Sequence, residues 1–287
     1  MKRTAYTLFL ISIAILCLNG CAQSSQTLWK NAVMMSTPMG FSPVELEVPP
    51  FHLAGLIKKG TPSRELVVYL EGDGRAIIRG RPSADPTPRT SQSLELALLD
   101  PAPNILYLAR IGQFLSAYAQ DRYQPLWSER RLAPEVVEAA SRAIDSAKAM
   151  VGASYIHIIG YSGGGGLAVL LAENRTDVLS LVTVAGLLDT VWWVETRGYK
   201  PLTGSLNPVD KVSEILTLPQ IHFFGIEDNI IPPEMSRVYA SKGNFSDLRR
   251  LGVPTNHYEA WTSMWSELLN NYVLPMRRLA SQRLDSI

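Results

Sequence analysis

Ile156-His157-Ile158-Ile159-Gly160-Tyr161-Ser162-Gly163-Gly164-Gly165-Gly166-Leu167 moves within twelve residues from an apolar run, through a glycine-flanked serine, into a helical pattern. Ile156 to Ile159 has the β-branched character of a buried strand, and Leu167 to Glu173 reads as helix. A serine on so sharp a strand-to-helix turn needs small neighbours two positions to either side, and Gly160 and Gly164 supply them. The helix start places amide hydrogens and a positive dipole end beside Ser162. Small residues also cluster in ordinary turns, so the pattern gains its meaning from the strand before it and the helix after it.

Outward from this turn the chain keeps alternating. Leu66 to Leu70, Ile105 to Leu108, Leu181 to Val184 and Ile221 to Phe224 are short continuous apolar runs. Ser91 to Leu99 and Pro134 to Val151 have helical spacing, the latter with Val136, Ala140, Ile144, Ala147 and Val151 on one side. Tyr258, Trp261, Trp265, Leu268 and Tyr272 mark one face of a late helix. Apolar strands separated by helices predict an α/β fold with a mostly parallel sheet covered on both faces. Sites in such sheets lie at the carboxyl ends of the strands.

A serine nucleophile needs a base, and the base needs an orienting acid. The chain has 4 histidines. His157 and His222 lie inside strand patterns and read as core residues; His52 precedes the expected sheet. His257, in Pro254-Thr255-Asn256-His257 before the last helix, is the candidate base. Asp228 follows the strand ending at Phe224 and is the candidate acid, with Glu227 and Asp189 as rivals. Ser162, Asp228, His257 is the nucleophile, acid, histidine order of strand-elbow hydrolases. A developing oxyanion needs two amide donors. Gly163 is one candidate. Asp73, then Gly72, are the candidates for the other, in Glu71-Gly72-Asp73-Gly74, although Gly-Asp-Gly is also plain turn chemistry. An Asp73 carboxylate would repel an oxyanion, so it is expected to point away or to pair with a base such as Arg75.

These residues resemble the α/β-hydrolase superfamily over about residues 46 to 280: the elbow Gly160-Tyr161-Ser162-Gly163-Gly164, the Asp228 loop ending in Pro232, and His257. The resemblance implies an eight-stranded, mostly parallel sheet and serine-dependent acyl transfer or hydrolysis, with no metal and no organic cofactor. More narrowly, Tyr69-Leu70-Glu71-Gly72-Asp73-Gly74-Arg75, Asp85-Pro86-Thr87-Pro88 and Tyr107-Leu108-Ala109-Arg110 look like a group of proteobacterial lipoprotein hydrolases of unassigned substrate. The chain departs from many α/β-hydrolases in carrying Glu71 where a histidine often precedes the oxyanion glycine. It also carries Gly112 and Gln113 where such relatives have cysteines.

Composition is that of a globular protein. At 46% hydrophobic and 18% charged residues the chain is too apolar for disorder and too mixed for a multi-span membrane protein. A net charge of +1 gives nucleic-acid binding no electrostatic support. Both cysteines, Cys17 and Cys21, lie near the start, which leaves none for a metal site further on. Lys2-Arg3 followed by the uncharged run Ala5 to Leu18 reads as a secretory signal, too short to span a bilayer. Leu18-Asn19-Gly20-Cys21 resembles the bacterial lipobox, in which the cysteine is lipidated and the peptide is cut before it. The expected organisation is a signal peptide over 1–20, lipidated Cys21 and a tether over 21–45, and a hydrolase domain over 46–287. Ala22 in place of an aspartate favours the outer membrane, facing the periplasm.

The expected partners are a small acyl substrate and, through the lipid, the membrane; nothing in the sequence sets an oligomeric state. Trp192 and Trp193, in a possible cap segment over 187–208, and Arg75 and Arg110 after strand ends are candidate substrate contacts. Core packing of the tryptophans and a solvated basic loop are the plainer readings. The same residues leave two other functions open: a non-catalytic lipoprotein that uses the fold as a binding scaffold, and an acyltransferase.

Overall fold

The computed structural model describes residues 24–114 and 123–284. Its strands are β1 (Phe41–Val48), β2 (Phe51–Lys58), β3 (Glu65–Leu70), β4 (Ile77–Ile78), β5 (Arg81–Pro82), β6 (Ile105–Leu108), β7 (Tyr155–Tyr161), β8 (Val178–Val184), β9 (Gln220–Gly225) and β10 (Leu248–Val253). Eight of them form one sheet in the order β1-β2-β6-β3-β7-β8-β9-β10, and β4 and β5 pair as a small ribbon. β2 runs antiparallel to both β1 and β6, and every other pair in the large sheet is parallel. This is the α/β-hydrolase fold.

Successive residues of the central strands feed opposite layers, which is why these strands are apolar throughout. Leu66, Val68, Leu70 and Ile158 pack with helices α3 (Pro134–Val151), α4 (Gly163–Asn174) and α6 (Glu234–Ala240). Val67, Tyr69 and Ile159 pack on the other side with α1 (Ser25–Ser36), α2 (Gln92–Leu98) and α7 (Trp261–Leu268). A π-helical turn, Leu269–Val273, joins α7 to α8 (Leu274–Leu284). A short helix, α5 (Thr190–Arg197), follows β8.

Several expectations need correction. The tether over 21–45 does not hold from Ser24 onward. Ser24 caps α1 through its side chain, Leu28 and Ala32 are buried, and β1 begins at Phe41. His52 lies within β2 rather than before the sheet. Tyr258 is exposed and precedes α7, so it is not part of that helix's buried face. The helix after the elbow starts at Gly163, earlier than its apolar residues suggest, because the glycines themselves form its first turn. The two edge regions escaped prediction because edge strands face solvent: β1 buries only Phe41, Leu46 and Val48, and β10 carries Arg249 and Arg250. Cys21 and the signal segment lie outside the described residues. Among the described residues no helix is long and apolar enough to cross a membrane.

Candidate active site

Ser162 sits between β7 and α4 with φ 53° and ψ −122°, a region that side-chain-bearing residues avoid. Such a conformation costs about 1–3 kcal/mol and persists only when its surroundings over-determine it. Here they do. The Ser162 amide donates to the Val184 carbonyl at 2.9 Å, and the Ser162 carbonyl accepts from the Gly165 and Leu187 amides, each at 2.9 Å. The flanking glycines are sterically required. A Cβ at Gly160 would lie 2.5 Å from the Gly164 carbonyl carbon, and one at Gly164 would lie 2.5 Å from the carbonyl oxygens of Leu70 and Glu71.

The strand ends bring His257 and Asp228 to this serine. His257 Nε2 is 3.0 Å from Ser162 Oγ, and Nδ1 is 2.7 Å from Asp228 Oδ2. An ionised carboxylate only accepts, so Nδ1 carries the proton, and Nε2 is left to accept from the serine hydroxyl. Asp228 is held by its other oxygen, Oδ1, which accepts from the Ile230 and Ile231 amides, both at 2.8 Å. The His257 carbonyl accepts from Tyr161 Oη at 2.6 Å and from Trp261 Nε1 at 3.1 Å, which fixes the loop carrying the imidazole. The rival acids are elsewhere. Asp189 caps α5, accepting from the Trp192 amide at 3.0 Å, and Glu227 is exposed. His157 and His222 are buried in strands on Ser180 and Thr183, and burial pushes His222 down to about 3.

The loop after β3 lies against the elbow. Asp73 Oδ1 pairs with Arg110 Nη1 at 3.1 Å, and its Oδ2 pairs with Arg131 Nη1 at 2.8 Å. Burial alone would raise Asp73, but the two guanidiniums overcome it and hold the carboxyl below its usual range. The expected partner, Arg75, is not the one used. The carboxylate rests on Gly163: a Cβ there would come within 2.5 Å of Oδ2. The Asp73 amide has no protein acceptor among the described residues. The Gly72 amide is already engaged, donating to Glu71 Oε1 at 2.8 Å, so the second-choice donor is unavailable. Glu71 is buried, accepts from Tyr107 Oη at 3.0 Å, and is raised to about 7 because burial outweighs both hydrogen bonds. Gln113 secures the loop: its Nε2 donates to the Gly72 carbonyl at 2.9 Å, and its Oε1 accepts from the Arg110 amide at 3.0 Å.

Ser162, Gly163 and His257 open into a cavity of about 1250 Å³. The candidate substrate contacts divide. Trp193 lines the cavity, donates to the Ile230 carbonyl at 2.8 Å and meets the Tyr199 ring edge-on. Trp192 instead packs on the core beneath. Arg75 lines the cavity, whereas Arg110 is buried behind Asp73 and does not reach it. Arg131 carries no motif, and Glu71 and Gln113 stand out in the sequence only as departures from the resembled pattern. What each of the three holds depends on strands and loops far apart in sequence, and no local signal identifies those contacts.

Comparison with known proteins bears on the family and the fold. The model of the family described as serine hydrolase (FSH1) matches residues 113–258, which contain Ser162, Asp228 and His257. Among solved structures, Est1E from Butyrivibrio proteoclasticus is similar with a TM-score of 0.57 at 13% identity, covering 82% of this chain and 98% of that one. The Pyrococcus furiosus esterase Pf2001 gives 0.54 at 12% identity, with 81% and 91% covered. The Pyrococcus horikoshii acylaminoacyl peptidase gives 0.58 at 14% identity; 86% of this chain is covered but only 42% of the peptidase. At these identities the likeness is one of fold. No curated protein matches the sequence.

Proposed function

The chain belongs to the serine hydrolase (FSH1) family, and on that premise we propose that it cleaves a carboxylic ester or thioester through an acyl-enzyme on Ser162. The observation that carries this reading is the unbroken line Ser162 Oγ, His257 Nε2, His257 Nδ1, Asp228 Oδ2, with links of 3.0 and 2.7 Å, at the mouth of a large cavity. Ser162 Oγ attacks the acyl carbonyl while His257 Nε2 takes its proton. Asp228 holds the tautomer and stabilises the imidazolium. The Gly163 and Asp73 amides receive the oxyanion. His257 then protonates the leaving group, and a water activated by the same nitrogen attacks the acyl-enzyme, releasing the acid and Ser162. Trp193 and the apolar residues around it bind the acyl group, and Arg75 lies beside the site.

The proposal extends to location. Leu18-Asn19-Gly20-Cys21 directs lipidation of Cys21, and the enzyme is held at the outer membrane facing the periplasm, as in the proteobacterial lipoprotein hydrolases it resembles. Ser162→Ala is expected to abolish ester turnover and labelling by a fluorophosphonate probe while leaving the melting temperature nearly unchanged. Labelling retained in that variant refutes the mechanism. Mass spectrometry of the mature wild-type chain tests the anchor, and an unmodified Cys21 refutes it.

A further inference from the structure

We propose, resting on the acyl-hydrolase reading, that the substrate carries an anionic group close to its scissile carbonyl, held by basic residues of the cavity lining, Arg75, Arg89, Arg131 and Lys200. The cavity lining is mixed in character: Leu187, Trp193, Pro201, Leu202, Ile230 and Ile231 are apolar, and Arg75, Arg89, Arg131 and Lys200 are basic. The four basic residues lie on the same cavity, Arg75 half-buried, Arg89 and Lys200 exposed. The side chains of Arg75, Arg89 and Lys200 have no ion pair or hydrogen bond among the described residues.

Arg131 is different, because it is built into the floor. Its side chain is only 7% exposed, and it shares the single Asp73 carboxylate with Arg110, whose side chain is 6% exposed. Two guanidiniums on one carboxylate leave a net positive charge under the reaction centre. The Arg110 Nε also finds no acceptor among the described residues. A charge set in a poorly solvated wall acts over several ångströms with little screening. The acids that line the same cavity do little to cancel it. Asp73 is already counted in the cluster, Glu129 is exposed and accepts from Ser128 Oγ, and Glu71 holds its proton up to about neutrality. A neutral acyl ester would leave this surplus unanswered, whereas a carboxylate or phosphate beside the scissile bond would answer it.

Binding to full-length Ser162→Ala protein, measured by calorimetry, separates this inference from catalysis. Monobutyl succinate places the anion on the acyl side, and O-butyryl lactate places it on the leaving-group side; the methyl ester of each is its neutral mate. At least one anion is expected to bind about tenfold tighter than its mate at roughly 20 mM salt, and less than about threefold tighter at roughly 0.5 M, where screening is short-ranged. Arg75→Gln combined with Arg89→Gln is expected to lower that preference at least about threefold, with circular dichroism unchanged. The arm that shows the preference tells on which side of the carbonyl the anion sits. Equal binding of all four compounds overturns the inference, as does a preference indifferent to both salt and the arginine changes. Fluorophosphonate labelling and turnover of the wild-type chain are read separately: their absence defeats the hydrolase reading, whereas the binding ratio alone decides the anion.

Discussion

Asp228 uses both carboxylate oxygens, one for two backbone amides and one for His257. Asp228→Asn keeps the size but replaces an acceptor with an amide, so the imidazole loses the partner that fixes its tautomer. Turnover is expected to fall at least about a hundredfold, with KM much less affected. Asp189→Asn disturbs only the cap of α5 and is expected to cost less than about tenfold. Steady-state kinetics on both variants decides, and the reverse ranking would move the acid to the end of β8. Glu71 makes a pH prediction. Its folded value of about 7 lies above the ordinary 4.5, so between those pH values the unfolded chain has released a proton that the folded chain still holds. Stability therefore falls as pH rises through that window and is level above it, by about 3 kcal/mol from this group. Glu71→Gln removes the titration while retaining an acceptor for the Gly72 amide. Urea unfolding at pH 5 and pH 8 should show a markedly smaller loss in the variant; an unchanged difference would mean that Glu71 is not the titrating group.

Helix α4 carries the amide of Gly163 at one end and a buried carboxyl at the other. Among the described residues neither oxygen of Glu173 has a hydrogen-bond partner, and burial, with Asp210 and Glu214 adding to it, raises the group to about 8 despite Lys211. Ionising it in place is unfavourable, so this element weakens as pH rises from about 4.5 to 8. Glu173→Gln is expected to raise the melting temperature at pH 9 and to leave it nearly unchanged at pH 5. Scanning calorimetry at both values checks this, and a variant less stable at pH 9 would contradict it. The same helix also shows why local propensity misplaces its start. Four successive glycines disfavour helix by about 1 kcal/mol each. Close packing under the sheet requires them all the same: a Cβ at Gly165 would lie 2.7 Å from Gly186 Cα, and one at Gly166 would lie 2.5 Å from the Leu187 carbonyl oxygen.

For the molecule as a whole, the fold extends toward the N-terminus beyond the motif-bearing region. α1 closes one end of the second core layer through Leu28 and Ala32, and Trp29 meets Phe114 at 5.2 Å between ring centroids. Burying one leucine is worth about 1.5–3 kcal/mol. A chain beginning at Thr37 is therefore expected to be less stable by about 2–4 kcal/mol than one beginning at Ala22. Urea midpoints of the two chains measure it. Equal midpoints would restore the tether reading for this segment.

The central strands and the elbow at Ser162 are legible in local physics: continuous apolar runs, and small residues where a strained turn leaves no room. Asp228 stands out as a loop residue just after a strand, whereas His257 is picked by chain order, as the histidine that follows the acid in the order this kind of site implies. Tertiary structure alone decided the rest. It showed that Asp73 leans on Gly163 between Arg110 and Arg131, that Glu71 occupies the Gly72 amide, that Arg110 and Trp192 turn away from the cavity, and that residues 25–36 are a packed helix. These are pairings between residues tens of positions apart. Their outcome depends on which buried polar group is nearest once the strands align, and a one-dimensional pattern does not encode that distance.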